Sequence, residues 1–170
     1  MIRPQQKCAT ADVQDLLRQA AAAHQRGQLA EAEELYRKIL DAQPNNFDAL
    51  HLYGVLKHQR GQSAEALGLI ARALKTNSRS AAALSNHGIV LAALDRCEEA
   101  VASYDRAIKL KSDYAEAFNN RGNALAMLRR LDEALASYDR ALALRPRYAE
   151  ALISRGNCLR MLRRNEEALA

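Results

Sequence analysis

The chain has no tryptophan, two phenylalanines and three prolines in 170 residues. Nor does it hold an apolar run long enough to cross a bilayer. Alanine and leucine supply most of its apolar residues, so helix formers are in excess and strand formers are scarce. Its three cysteines, Cys8, Cys97 and Cys158, are odd in number, far apart and in no CxxC arrangement. That excludes a disulfide framework or a zinc site and fits a reducing compartment. Cys97 and Cys158 are expected to be small buried hydrophobes. Charge of one sign is also missing: the net value is +5, with basic and acidic residues interspersed as on solvated helix faces. Met1 to Asp12 has no apolar core and no small-residue cleavage site. A soluble, unexported, cytoplasmic protein with no membrane partner is expected. No GxSxG, HExxH or P-loop pattern occurs, so neither catalysis nor a cofactor is expected.

What the chain does have is a period. Set against itself at 34 residues, it aligns FDALHLYGVL from Phe47, AAALSNHGIV from Ala81, AEAFNNRGNA from Ala115 and AEALISRGNC from Ala149. A weaker copy begins near Val13. The expected organisation is a flexible stretch over 1–11, full repeats at 13–46, 47–80, 81–114 and 115–148, and a truncated fifth at 149–170.

Each later copy places a glycine mid-helix: Gly54, Gly88, Gly122 and Gly156. Glycine there costs about 1 kcal/mol against alanine, which close approach of a neighbouring helix would offset. Ala20 holds the equivalent place in the first copy. Ala32, Ala66, Ala100, Ala134 and Ala168 recur at the same period in the second helix. Large apolar residues fill the complementary places: Leu50, Leu84, Phe118 and Leu152, then Tyr36, Ile70, Tyr104 and Tyr138. Their spacing puts them on one core stripe. Gly27 and Gly61 mark left-handed helix ends, where Asp95, Arg129 and Arg163 stand in later copies. Glu98, Glu99, Asp132, Glu133, Glu166 and Glu167 open the helix that follows, complementing its dipole. Pro44 and Pro146 end second helices, with Ser78 and Ser112 in that place elsewhere.

Stretches such as LHLYG…A-x3-I and FNNRG…A-x3-Y…P resemble the signature of the tetratricopeptide repeat family. The resemblance implies an all-α, right-handed superhelix of antiparallel helix-turn-helix units, an α-solenoid. It further implies a scaffold whose concave groove, lined by the first helices, receives a protein or peptide ligand. The family usually has leucine just before the repeat glycine, but here stand Tyr53, His87, Arg121 and Arg155. An arginine there needs a partner or a route to water. Arg121 is expected to meet Asp105, and Arg155 to meet Asp139, tying repeat to repeat.

The helix face opposite the core stripe sets the expected groove. In the second repeat it carries His51, Val55 and His58, and in the third Asn86 and Ile89. The fourth contributes Asn119, Asn120 and Asn123, and the fifth Ser154 and Asn157. Asparagine offers both donor and acceptor, so such a face can bracket the backbone of an extended peptide. Asn86 and Asn120, one repeat apart, also look like part of the asparagine ladder in the repeats of O-linked N-acetylglucosamine transferases and their bacterial relatives. That resemblance implies the alternative of a substrate-recruiting arm of a larger glycosyltransferase-like enzyme. The clustered Lys and Arg of carboxylate-gripping cochaperone repeats are absent from the face. His51 and His58 fall two turns apart, yet two ligands do not make a metal site. The face lacks the periodic basic residues that an RNA-reading repeat requires, so no nucleic-acid partner is expected.

Leu152, Leu159, Leu162 and Leu169 of the truncated copy are expected to be partly uncovered, since each repeat buries its apolar face on the next. Either further repeats follow, or the open C-terminal end pairs with a second copy through a two-fold contact.

Overall fold

The computed structural model describes residues 4–169, and the side chains of residues 12–163. Its described residues form nine helices and no strand. They fall into two compact units, Met1–Ser78 and Arg79–Ala170. The first unit holds α1 (Pro4–Gln25), α2 (Leu29–Ala42), α3 (Phe47–Gln59) and α4 (Ser63–Thr76). The second holds α5 (Ala81–Ala93), α6 (Cys97–Leu110), α7 (Ala115–Met127), α8 (Leu131–Leu144) and α9 (Ala149–Leu169).

Within each unit every helix packs on the next in sequence, and first helices also touch: α1 meets α3, while α7 meets both α5 and α9. Small residues set these contacts. A methyl group on Gly54 would stand 2.5 Å from Ile70 Cγ1; on Gly88, 2.7 Å from Tyr104 Cε1; on Gly122, 2.5 Å from Tyr138 Cε1. No real Cβ sits so close, so the mid-helix glycines are imposed by the large side chain of the partner helix. Tyr36, Tyr104 and Tyr138 are fully buried, and each such side chain contributes on the order of 2 kcal/mol. Cys97 and Cys158 are buried, as the sequence suggests, and burial pushes both thiols up in pKa.

The turns between paired helices share one geometry. Gly27 and Gly61 have φ of 76° and 77°, and Asp95 and Arg129 adopt the same region at 57° and 63°. The residue after each donates its N–H back to the helix: Gln28 to Ala23 O, Gln62 to Lys57 O, Arg96 to Leu91 O and Arg130 to Leu125 O, at 2.9–3.0 Å. This closure satisfies the last carbonyls of the first helix. It also holds a non-glycine residue in a conformation costing roughly 1 kcal/mol. After the second helices, Gln43 and Arg145 leave helical geometry just before Pro44 and Pro146. Asn46 and Ser80 cap the next helices through the N–H groups of Ala49 and Ala83.

Helix α1 opens at Pro4; proline suits a first helical turn, and Gln5, Gln6, Lys7 and Ala9 are good helix residues. At the C-terminal end the structure departs from expectation, and no turn forms at Arg163. Helix α9 runs on through Glu166 and Glu167, which were expected to open a second helix. Elsewhere the burial of a paired second helix offsets the strain of a left-handed arginine; among the described residues nothing supplies that burial here. The side chains of Ala168 and Leu169 lie outside those described.

Candidate functional site

The position before the repeat glycine is a polar junction. In the second unit Arg121 donates Nε–H to Asp105 Oδ1 at 2.6 Å and Nη1–H to Ser137 Oγ at 2.6 Å, joining α6 and α8 through α7. Arg155 repeats the first contact with Asp139 Oδ1, also at 2.6 Å. Both expected pairs are thus present. His87 takes the equivalent place in α5, with Nδ1 2.9 Å from Ser103 Oγ. The Ser103 hydroxyl spends its own proton on Glu99 O at 3.0 Å, so His87 Nδ1 must be the donor. Burial, then the nearby Arg106 and Arg96, lower the His87 pKa. Ser103 and Ser137 therefore perform the same duty for different donors.

In the first unit that junction becomes a buried charge cluster, which sequence reasoning missed. Tyr53 donates its hydroxyl proton to Glu33 Oε1 at 2.9 Å, and Arg37 donates to both Tyr53 Oη and Glu33. Buried Lys57 stands 3.1 Å from Glu33 and 3.1 Å from Glu65, while Arg60 also reaches Glu33. Burial works to raise the Glu33 carboxyl. Hydrogen bonds from Tyr53 and Lys57 and the charges of Lys57 and Arg37 outweigh it and hold the carboxyl below its usual range. Burial likewise works against the Lys57 charge, and its bonds to Glu65 and Glu33 reverse the shift, raising its pKa. The available signal was a lysine amid the apolar α3 and the Glu33/Arg37 spacing of one helical turn. Every charge here is answered within the fold, so the cluster is structural.

The expected groove residues separate into two sets. Asn86, Ile89, Asn120 and Ser154 are half-buried, and Asn123 and Asn157 are exposed. These six lie on α5, α7 and α9 of one unit. Val55 and His58 are half-buried in the other unit, where His58 Nδ1 lies 3.0 Å from Ser63 Oγ. His51 and Asn119 do not fit the expectation, because both are buried. Burial lowers the His51 pKa, with Asp48 opposing. Among the described residues no group of three or more His, Cys, Asp or Glu is placed to hold a metal ion.

Two details bear on what the face can bind. Tyr138 donates its hydroxyl proton to Asn123 Oδ1 at 2.9 Å, and burial pushes that phenol up to about 12, so it remains a donor. The Asn123 carbonyl is thereby engaged and its NH2 turned outward. Beneath it, Asn119 Oδ1 is a buried acceptor with no partner among the described residues; its amide N–H reaches Asn120 Oδ1 only at 3.5 Å. An unsatisfied buried polar atom costs about 1–3 kcal/mol. Side-chain amides carry both donors and acceptors, which suits them to hydrogen bonding a backbone.

Paired helices with small-residue crossings and an amide-bearing face define a helical-repeat binding scaffold. Comparison with known proteins makes the family explicit. Tetratricopeptide repeat models match residues 23–86, 85–149 and 119–170. The chain belongs to the tetratricopeptide repeat family. No curated protein matches it in sequence. Among solved structures it is similar to PilF of Pseudomonas aeruginosa, with TM-score 0.82 and 22% identity over 92% of this chain and 71% of that one. It is also similar to YrrB, a repeat protein with an unusual peptide-binding site, with TM-score 0.77 and 23% identity over 95% and 87%. A third likeness is to the first such domain of Spaghetti (RPAP3) bound to the HSP90 peptide SRMEEVD, with TM-score 0.67 and 23% identity over 68% and 92%. At these identities the likeness concerns the fold. No helix among the described residues is long and apolar enough to cross a membrane.

Proposed function

We propose that the chain is a non-catalytic scaffold that holds an extended peptide or protein segment against the face of α5, α7 and α9. The observation that carries this reading is the row of amides on consecutive first helices, Asn86, Asn120 and Asn123, with the Asn123 carbonyl held by Tyr138 so that its NH2 is left to donate. Backbone N–H and C=O groups of an extended segment supply the matching donors and acceptors. The peptide complexes or peptide sites of two structural neighbours support the class of ligand. Specificity would come from the combination of side chains on the face, since the repeat itself only builds the scaffold.

The reading is tested with a displayed library of random peptides, panned against the chain and against a variant with Asn86, Asn120 and Asn123 changed to Ala. Enriched peptides are expected to bind the parent and to lose most of their affinity for the variant. Equal binding to both, or no enrichment at all, rejects the face as the site.

A further inference from the structure

Between the second helices α6 and α8 lies a cavity of about 290 Å³, lined by Asp105 and Ile108 of α6, Phe118 and Arg121 of α7, and Ala136 and Arg140 of α8. Helical periodicity puts Asn120 and Asn123 on the other side of α7 from Phe118 and Arg121, so the cavity is separate from the amide face. Its floor is apolar and incompletely covered. Phe118 is half-buried, where Leu50 and Leu84, at the same place in their repeats, are 0% exposed. Half-buried Ile108 and exposed Ala136 form the walls. Charge at the rim does not balance. Asp105 is bound to Arg121 at 2.6 Å. That leaves Lys109, one turn on from Asp105, and Arg140 across the cavity, both exposed and without an acidic partner among the described residues. One turn to either side of Arg140 stand Ala136 and Leu144, so its own helix offers no acid. Other arginines of this unit are answered: Arg96 by Glu99, Arg130 by Glu133 and Arg145 by Glu116. Arg140 is instead held over the Phe118 ring, 5.8 Å from its centre. A guanidinium so placed is positioned by the ring yet keeps N–H donors for a carboxylate.

We infer that this cavity docks an acidic segment of a partner protein, in which one aliphatic or aromatic residue stands between aspartates or glutamates. The apolar side chain enters between Ile108 and Phe118, and the carboxylates to either side pair with Lys109 and Arg140. Charge complementarity selects the occupant. An unanswered cation on each wall of an apolar hole suits a segment that is acidic around an apolar centre, and opposes a basic one. The cavity takes this segment whether or not the face of α5, α7 and α9 is filled.

The test pans the 170-residue chain with a displayed peptide library whose central position is leucine or phenylalanine and whose flanks are randomised among Asp, Glu, Gly and Ser. Enriched peptides, synthesised with blocked ends and titrated by anisotropy, should bind saturably and more weakly as salt rises. The double change Lys109→Ala and Arg140→Ala should weaken them about tenfold or more. Ala136→Phe, which fills the cavity and leaves both cations in place, should weaken them as well. All three positions are exposed on helices, so both variants should keep the circular dichroism of the parent. Changing Asn86, Asn120 and Asn123 to Ala should leave this binding unaltered, which separates the cavity from the amide face. Absence of enrichment overturns the proposal, and so does undiminished binding to either cavity variant. Loss of binding on the asparagine variant overturns it by moving the acidic segment to the amide face. A concentration-dependent dimer in sedimentation that Ala136→Phe abolishes also overturns it, assigning the cavity to a second copy.

Discussion

Replacing Gly122 and Gly156 by alanine, one at a time, should change stability in opposite directions although both lie at the same place in the repeat. Alanine in a helix interior is favoured over glycine by about 1 kcal/mol, and this gain applies at both sites. At Gly156 nothing stands within 4 Å of the added methyl, so the gain is the whole effect. At Gly122 the methyl would lie 2.5 Å from Tyr138 Cε1. That ring cannot swing aside cheaply, being fully buried with its hydroxyl bonded to Asn123 at 2.9 Å. Overpacking of this kind costs roughly 1–3 kcal/mol. Gly122→Ala should therefore be neutral to about 2 kcal/mol destabilised, and Gly156→Ala stabilised by up to about 1 kcal/mol. Urea denaturation followed by far-ultraviolet circular dichroism measures both, and hydrogen exchange along α9 isolates the local gain. Adding Tyr138→Leu to Gly122→Ala should cost less than the two changes summed, because the clash goes with the ring. Ala20, fully buried at the equivalent place in the first copy, carries the methyl that Gly122 lacks. If Gly122→Ala stabilises as much as Gly156→Ala, close approach is not why glycine recurs.

Two further predictions concern the polar junctions. Arg121→Ala should cost about 1 kcal/mol, discounted for the exposed Asp105 side of the contact, and should exceed the cost of Arg155→Ala, which loses one partner where Arg121 loses two. Equal denaturation midpoints for the two variants would contradict the double tie. Acid should act on the two units through different groups. His87 has a lowered folded pKa, so below its ordinary value of 6.5 the unfolded chain takes up the proton and stability falls until the folded pKa is passed. Glu33, lowered from 4.5, contributes stability above that value which is lost as pH drops through its folded pKa. His87→Gln should flatten the loss that sets in as pH falls below 6.5, and Glu33→Gln the loss that sets in below 4.5, in melts recorded across pH.

How far the sequence reached is clear from particular positions. The period, the glycine notches, the left-handed turns at Asp95 and Arg129, and the Arg121 and Arg155 pairs were all legible, because a repeat shows each local requirement several times in register. Helical periodicity marked Asn119, Asn120 and Asn123 alike, and could not tell that Asn119 is buried while Asn123 is exposed.

Sequence by itself determined the family, the helix pairs and which residues meet within a pair, since those contacts are short in range and repeat at a fixed period. Tertiary structure decided what depends on the neighbours of a repeat. It gathered buried Glu33, Lys57 and Tyr53 from α2 and α3 into one cluster that exposed Glu65 of α4 joins through Lys57. It buried His51 and Asn119 on what pattern alone marked as a solvent face. It also carried α9 straight through Arg163, where the pattern called for a turn. The physical reason is the same in all three cases. A side chain's exposure and a turn's strain are settled by what packs against them, and in a repeat array that partner belongs to another segment of chain.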